Sequence, residues 1–293
     1  MAENTTYHQF IQRYIRYIPS DVNWQTTPLQ VYVLERMSEH LVLPTPLLKA
    51  DYYHLVYLNK GSFLQQIGIE QYTIKAPAMM FIAEGEPFAL KQVLEQVKGF
   101  VVLMDKRVVQ GALNSIDLDK LLKVQHITRL TEGHANWVHR LLELLHQELA
   151  SSSPSRGVGN GLFQALLHRL ITLSEDTRET LSRSYQVASQ FKQLLNEYVR
   201  QEKVVAFYAK KLHVSENYLN RCVKATYDRS CKQVIQETAI LQSQVLMFES
   251  RKDISEISYL MGFESPSYFS RVFKKVTDQT PTQFRESLMH GLS

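Results

Sequence analysis

The spacing of hydrophobic residues divides the chain into segments with different patterns. Tyr7–Tyr17 has apolar residues at helical intervals, and the same interval returns from about residue 106 onward. Between Leu29 and Asp105 the apolar residues instead form short runs separated by turn-forming residues. The pattern therefore predicts a β-rich region with helices on both sides of it.

Short strands are predicted throughout the β-rich region, at Gln30–Leu34, Tyr53–Leu58, Phe63–Ile67, Tyr72–Ile74, Met79–Ile82 and Phe100–Met104. Turn formers lie between them at Asn59–Gly61, Ala76–Pro77, Glu84–Pro87 and Lys98–Gly99. Strands this short, at such regular spacing, are typical of a small antiparallel barrel or sandwich.

Two apolar helices are predicted after the strands. The first, Trp137–Leu149, is amphipathic and ends at the Ser-, Pro- and Gly-rich segment 151–157, and the second is Leu162–Leu173. The apolar surface of the two helices together is larger than the surface needed to cover one small barrel. We therefore expect a dimer contact, with closure of the barrel as the alternative. Residues 174–184 are polar and are interpreted as an interdomain linker.

The last third of the chain contains an internal repeat at an offset of fifty residues. Tyr218–Lys224 and Tyr268–Lys274 share the order tyrosine, apolar, small polar, arginine, two largely apolar residues and lysine. Upstream the correspondence continues at an offset of 49, where Val205, Ala209, Leu212 and Val214 match Ile254, Ser258, Met261 and Phe263. The duplication predicts two copies of one structural unit.

Each copy is predicted to be a helix, a tight turn and a second helix. In the second copy Gly262 suits a left-handed turn, Phe263 lies between the helices, and Ser265 and Pro266 start the next helix. In the first copy the turn is 212–214, and Ser215 is the cap. This order is that of a helix-turn-helix unit, and the duplication makes the signal much stronger than one copy would be.

The segment between the two copies, Lys232–Phe248, predicts a long helix with an apolar stripe. A rigid connector of that length is able to hold two recognition helices about one DNA turn, roughly 34 Å, apart. The repeat and its connector therefore favour a protein that contacts one face of a DNA duplex.

Residues 254–275, ISEISYLMGFESPSYFSRVFKK, and residues 280–285, TPTQFR, closely resemble the signature of AraC/XylS-type transcription regulators. The first copy resembles it too, and the likeness covers about Gln190–Leu288. The sequence departs from the family pattern at four places, namely His213, Thr238, Ser243 and Asp278. These departures concern the local geometry of turns and connector, not the fold.

The resemblance implies that the start of each second helix contacts base edges in the major groove. The base-contacting positions are then Asn217, Asn220, Arg221, Ser267, Tyr268 and Arg271. Phosphate contacts are expected from Ser215, Lys224, Ser265, Lys274 and Lys275.

Other roles remain open for several of these residues. Tyr268 can be a core residue instead, as we expect of Tyr218. Arg221 and Arg271 can bridge to Glu216 or Glu264, although an arginine in both copies favours DNA. Lys274 and Lys275 can simply lie on a solvated face.

The β-rich region, Tyr53–Met104, is less specifically similar to the cupin-like barrels that precede such DNA-binding domains. In those regulators the barrel often binds a small effector or mediates dimerisation. His40 and His54 are isolated in sequence, so we expect no metal site, no cofactor and no enzymatic activity. The residues leave open whether the barrel holds an apolar effector or only a filled core.

Composition changes this picture in one respect, the distribution of charge. Leu181–Ser293 holds 16 lysine and arginine against 11 aspartate and glutamate residues, a net charge of +5, whereas the remaining residues carry −1. A basic excess confined to the repeat suits a polyanionic partner, although ordinary surface variation can also produce it. The 293-residue length suggests about two domains. With two cysteines, no signal peptide and no membrane-length apolar run, we expect a bacterial cytoplasmic protein.

The sequence thus predicts an α+β protein, with a cupin-like domain at 1–173, a linker at 174–184 and an AraC-type DNA-binding domain at 185–293. We expect a sequence-specific transcription regulator, an activator, which contacts two adjacent major grooves and is controlled through its barrel. Its expected partners are double-stranded DNA, a small-molecule effector, RNA polymerase and a second copy of the chain. The alternatives are a cupin enzyme fused to a helical interaction module, and a non-specific architectural DNA binder.

Overall fold

A computed structural model describes residues 27–38, 40–179, 182–250 and 252–290. These residues form two compact units, which divide between Thr180 and Leu181. The helix predicted at Tyr7–Tyr17 lies outside the described residues. The division falls inside the predicted linker, but helices occupy most of that segment, and the domain boundaries themselves stay a prediction.

The N-terminal unit is built on a seven-stranded antiparallel sheet with the path β1-β6-β3-β5-β7, in which β2 pairs with β6 and β4 with β3. The strands are β1 (Leu29–Val33), β2 (Leu48–Lys49), β3 (Tyr52–Ile67), β4 (Glu70–Lys75), β5 (Ala78–Ile82), β6 (Pro87–Asp105) and β7 (Ile127–Arg129). The mixed α+β class is therefore confirmed, whereas closure into a cupin-like barrel stays a prediction.

Two of the predicted turns are wrong, because they lie inside long strands. Asn59–Gly61 falls within β3 and Lys98–Gly99 within β6, where the two strands pair with shifts in register. Gly61 has φ 87° and Gly99 φ 149°. A Cβ on Gly99 would lie 1.9 Å from the carbonyl oxygen of Tyr57, so the glycine permits a close backbone approach rather than a reversal of the chain.

Both faces of the sheet are buried, which explains the continuous apolar runs in the sequence. Leu55, Tyr57 and Val102 face the helices, while their neighbours Val56 and Val101 belong to a second core on the other face. The Tyr57 hydroxyl donates to the carbonyl oxygen of Ala135 at 2.9 Å, which ties the sheet to its helical layer. Period-two alternation separates two cores here instead of a core from solvent.

The helices of this unit are α1 (Leu34–Ser38), α2 (Lys106–Ala112), α3 (Ser115–Leu122), α4 (Glu132–Ala150) and α5 (Arg156–Glu179). Helix α4 buries Val138, Leu142 and Leu145. Its predicted apolar stripe does not all point inward, since Trp137 is 41% and Leu144 54% exposed. Among the described residues, part of the apolar surface of α4 is therefore exposed.

The C-terminal unit is entirely helical among its described residues. It contains α6 (Arg183–Tyr198), α7 (Val205–Lys211), α8 (Glu216–Tyr227), α9 (Cys231–Glu249), α10 (Ile254–Leu260), α11 (Pro266–Thr277) and α12 (Pro281–His290). Helices α7 and α8 form the first helix pair, and α10 and α11 form the second. The helix, turn and helix predicted for each copy are thus present at both places.

The connector α9 is buried on nearly every side, not only along the predicted stripe. It packs against α6 and α8 of one half and against α10, α11 and α12 of the other. Thr238 and Ser243, two departures from the family pattern, are buried, and their hydroxyls donate to the carbonyl oxygens of Val234 at 2.8 Å and Ile240 at 2.6 Å. Such bonds to the preceding turn satisfy a buried hydroxyl within its own helix.

The second core of the N-terminal unit contains a cavity of about 70 Å³. Most of its lining residues are apolar, and the four with polar side-chain atoms are Thr45, Tyr52, His54 and Gln65. Thr45 is hydrogen-bonded to the backbone of Leu90. The Nδ1 atom of His54 is fully buried and has no hydrogen-bond partner among the described residues. Burial lowers the pKa of His54 to about 4, so the ring is neutral near pH 7.

Protonation of His54 should weaken the N-terminal unit in mild acid. Its pKa is about 4 when folded against an ordinary 6.5, so the unfolded chain binds the proton first as the pH falls. Stability present above pH 6.5 is therefore lost between pH 6.5 and 4, by up to about 3 kcal/mol. Urea unfolding of wild type and His54→Leu across this range tests the slope.

We expect the pH slope of His54→Leu to be shallower than that of wild type. His134→Leu, which removes a histidine outside the cavity wall, serves as the control and should keep the wild-type slope. Identical slopes for wild type and His54→Leu would contradict the assignment.

Candidate nucleic-acid interface

The repeat in sequence becomes a repeat in structure, centred on α8 and α11. Each helix has 12 residues and begins at a serine, Ser215 or Ser265, whose hydroxyl accepts the backbone N–H three residues later at 3.2 Å. Each ends at an aspartate in the left-handed conformation, Asp228 with φ 53° and Asp278 with φ 61°. The caps fix where each helix starts and stops, and hence which residues its exposed face presents.

The two turns have the same backbone conformation but different surroundings. His213 has φ 54° in the first turn and is exposed, whereas Gly262 has φ 67° in the second. A Cβ on Gly262 would lie 2.2 Å from the carbonyl oxygen of Arg200. A side chain is therefore tolerated in the first turn and excluded from the second.

The predicted base-contacting residues of α8 do not all have free side chains. Asn217 and Arg221 are exposed. Asn220 instead accepts the backbone N–H of Cys231 at 3.2 Å and donates to the carbonyl oxygen of Glu216 at 3.1 Å. Its amide links α8 to the first turn of α9, so in this conformation it holds the recognition helix in place.

All three predicted base-contacting residues of α11, Ser267, Tyr268 and Arg271, are exposed. Tyr268 is 38% exposed, and its ring lies 6.0 Å from that of Phe263, so it packs on the turn of the second helix pair and also faces the surface. The Arg271 guanidinium lies 5.7 Å from the Tyr268 ring, as Arg221 lies 5.1 Å from Tyr218 in the first copy. Stacking on a ring three residues earlier holds both guanidinium groups outward from the helices.

The predicted phosphate-contacting residues follow the same two helices. Lys224, Lys274 and Lys275 are exposed in the last turns. Lys224 forms an ion pair with Asp228 at 2.8 Å, and its hydrogen bond and charge lower the pKa of that carboxyl group. Ser215 and Ser265 lie at the other ends of these helices, where the first-turn backbone N–H groups are available to an anion.

The repeat extends further than the sequence analysis recognised. Ser230 and Gln233 form a capping box at the start of α9, and Thr280 and Gln283, fifty residues later, exchange the equivalent bonds at the start of α12. The offset was visible in the sequence and predicts these caps. Each copy therefore includes the start of the helix that follows it.

The C-terminal helices are similar to those of known helix-turn-helix proteins. A family model described as a helix-turn-helix domain matches residues 208–287. The Msm operon regulatory protein of Streptococcus mutans is 31% identical over 28% of this chain and 30% of its own length. The transcriptional activator RhaR of Mannheimia succiniciproducens is 20% identical over 84% of this chain and 89% of its own length.

These matches support an AraC-family regulator, and the match to the family model lies within the C-terminal unit. A long protein named histidine kinase P4, from Formosa agariphila, also has a matching segment, 32% identical over 39% of this chain. The matched segments span only 8% and 30% of the kinase and the Msm protein, so the similarity to those two is confined to a part of each. No helix among the described residues is long and apolar enough to cross a membrane.

The two predicted base-contacting asparagines of α8 should respond differently to substitution by alanine. Asn220→Ala removes the side chain that pairs with the Cys231 N–H, so we expect a loss of roughly 1 kcal/mol in the free energy of unfolding. Asn217→Ala removes an exposed side chain and should leave stability within about 0.5 kcal/mol of wild type. Denaturant unfolding, with hydrogen exchange to locate the change at α8 and α9, measures both.

Asn217→Ala is the matched control, because it makes the same substitution on the same helix. Equal stability of the two variants would show that the Asn220 amide contributes nothing to holding α8.

Proposed function

We propose that this protein is a sequence-specific transcription activator that places α8 and α11 in two successive major grooves of one DNA duplex. The observation that carries the proposal is the pair of capped helices with an exposed arginine at equivalent positions, Arg221 and Arg271. Both helices pack on the same connector. A duplicated basic helix on a common support is what a two-groove binder requires.

The length of the connector supports the two-groove arrangement. Helix α9 has 19 residues, which at 1.5 Å per residue extend roughly 28 Å. Successive major grooves on one face of B-DNA lie about 34 Å apart. Two helices that pack along α9 can therefore have a separation of the right order.

The exposed side chains supply the chemistry of base recognition. Arg221 and Arg271 are able to form paired hydrogen bonds with guanine, and Asn217 with adenine. Tyr268 offers a partly exposed ring and a hydroxyl. Lys274 and Lys275 add positive charge where the backbone of the duplex would run. These roles accord with the basic excess of the C-terminal unit.

Selection of binding sites from random DNA, with the full chain at near-physiological salt, tests this function. We expect an asymmetric motif with two blocks about 10 bp apart. Binding that is sensitive to salt but blind to sequence, with a specific-to-random affinity ratio below about tenfold, would support an architectural binder instead. Specific DNA-binding proteins typically show ratios of about 10³ or more.

Arg271→Ala should weaken binding to the selected site by about 1–3 kcal/mol and relax the preference at one base pair. The physical reason is the loss of a two-pronged donor to a base edge. Lys275→Ala, on the same helix, is the matched control. It should weaken binding to all sequences alike and reduce the slope of log K against log salt by about 1. Equal losses on selected and random DNA for Arg271→Ala would reassign that residue to phosphate contact.

We also propose that the N-terminal unit controls DNA binding through the cavity lined by His54. The ligand is inferred from the walls: they are mostly apolar, they include no lysine or arginine among the described residues, and His54 is neutral near pH 7. A carboxylate would lose its hydration there without gaining a counter-charge. A small neutral molecule with one hydroxyl or carbonyl group fits, because it would pair with the Nδ1 atom of His54.

Three small probes of similar shape test the ligand class: p-cresol, toluene and benzoate. We expect thermal stabilisation of the N-terminal unit by cresol, weaker stabilisation by toluene and none by benzoate. His54→Leu should remove most of the preference for cresol over toluene, roughly a tenfold ratio for one buried hydrogen bond. His134→Leu is the control, and stronger binding of benzoate would contradict the neutral class.

The remaining partners also stay proposals. The relative from Mannheimia is named a transcriptional activator, which supports an activating output and a contact with RNA polymerase. A homodimer is supported by the exposed part of the apolar surface of α4, where Trp137 and Leu144 lie beside Arg140. Helix α4 also presents Glu143, so opposite charges flank the apolar residues, as a self-complementary contact requires.

A further inference from the structure

The loop between α6 and α7 reaches across to the turn of the second helix pair. The Lys203 ammonium donates to the carbonyl oxygen of Met261 and, at 3.1 Å, to that of Gly262. It also lies 5.0 Å from the centre of the Phe263 ring. These carbonyl groups are at the C-terminal end of α10, where they have no partners within the helix and the helix dipole favours a cation.

Lys203 is held in this position by more than one kind of interaction. The residue is half-buried, and desolvation lowers the pKa of its ammonium, while the charge of Glu202 opposes that shift. Two carbonyl oxygens and an aromatic face replace the water that the ammonium loses. The contact is therefore directional, unlike that of a surface lysine that keeps its hydration.

The same loop is fastened to the connector on its other side. The Arg200 Nε donates to the Gln242 side chain at 3.1 Å, and Gln242 donates to the carbonyl oxygen of Asn196 at 3.3 Å. Gln242 is buried in the middle of α9. The carbonyl oxygen of Arg200 lies so close to Gly262 that no side chain fits between them.

This loop therefore makes a direct tie between the two halves of the domain. Among the described residues, the second pair is also joined to the first through the packing of both pairs on α9. Lys203 lies two residues before α7, and the turn that it contacts lies between α10 and α11. A tie at this place resists rotation of the second pair about the connector.

We propose that Lys203 is a positioning residue that fixes α11 relative to α8 and thereby sets the spacing between the two DNA half-sites. The inference rests on the proposed two-groove function. An added base pair moves one half-site by about 3.4 Å and about a tenth of a helical turn relative to the other. A rigid pair of recognition helices penalises that change, and a pair free to pivot does not.

The chain offers a matched control in Lys211. Its ammonium is 3.3 Å from the Tyr198 hydroxyl and 4.5 Å from the centre of that ring, so it too combines a hydrogen bond with an aromatic contact. It also lies 5.6 Å from the centre of the Phe207 ring. Tyr198 is in α6 and Phe207 in α7, so both partners belong to the first half of the domain. Lys211 therefore resembles Lys203 in chemistry but makes no tie between the two pairs.

The experiment measures the affinity of the full chain for duplexes carrying the two selected blocks at the selected spacing or with one base pair inserted. We expect wild type to prefer the selected spacing by roughly tenfold or more. Lys203→Met keeps the length of the side chain but removes its donors, and we expect the preference to fall below about threefold. Lys203→Arg and Lys211→Met should keep the wild-type ratio.

Affinity for a duplex carrying only the block bound by α8 reports whether each variant is folded, and Lys203→Met should match wild type there. If the Lys203→Met variant does not fold, Lys203→Gln is tested instead, by the ratio of its affinities for the selected and the lengthened spacing. We expect that variant to show a reduced preference for the selected spacing. A folded Lys203→Met or Lys203→Gln with the wild-type spacing ratio overturns the inference alone. Wild-type protein that selects no paired blocks overturns the proposed function, and the inference with it.

Discussion

The burial of α9 on nearly every side is the constraint on which the C-terminal unit depends. A helix with an apolar stripe packs on one neighbour, whereas a helix buried all round must be enclosed by several. Here the enclosing elements are the two helix pairs, together with α6 and α12. Helices of both pairs pack on it, so the connector contributes to the core of each half. Polar residues survive inside it because Thr238, Ser243 and Gln242 each have a partner.

The N-terminal unit solves a different packing problem, that of a sheet buried on both faces. Helices cover one face, and the strands curve around a second core on the other. That second core is incompletely filled, and one ring nitrogen of His54 is unmatched in it. A buried polar atom without a hydrogen-bond partner lowers the free energy of unfolding, and a ligand that pairs with the atom offsets this loss. The same atom therefore links the stability of the unit to its proposed sensitivity to a ligand.

Local signals in the sequence sufficed for the helices and caps of the repeat. Ser215, Ser265 and Gly262 act within three or four residues of their own positions, so their roles follow from neighbours in the chain. The roles of Asn220 and Lys203 do not, because their partners are 11 and up to 59 residues away. The strands show the same limit: Gly99 resembles a turn former until β3 is seen pairing beside it. The exposure of Trp137 likewise depends on which face α5 covers, and helical periodicity alone does not specify that.

The different surroundings of His213 and Gly262 bear on how the two halves of a duplicated domain diverge. In the first turn a Cβ meets no such obstacle, so mutation there can explore polar and charged residues at the modest cost of a left-handed backbone. In the second, the neighbouring carbonyl of Arg200 removes every option but glycine. Substitution is thus permitted at the turn of the first copy. At the turn of the second copy it is prevented by a neighbouring backbone segment that the first copy lacks. A glycine at only one of two homologous turns can therefore identify the copy whose turn packs closely against the backbone of another segment.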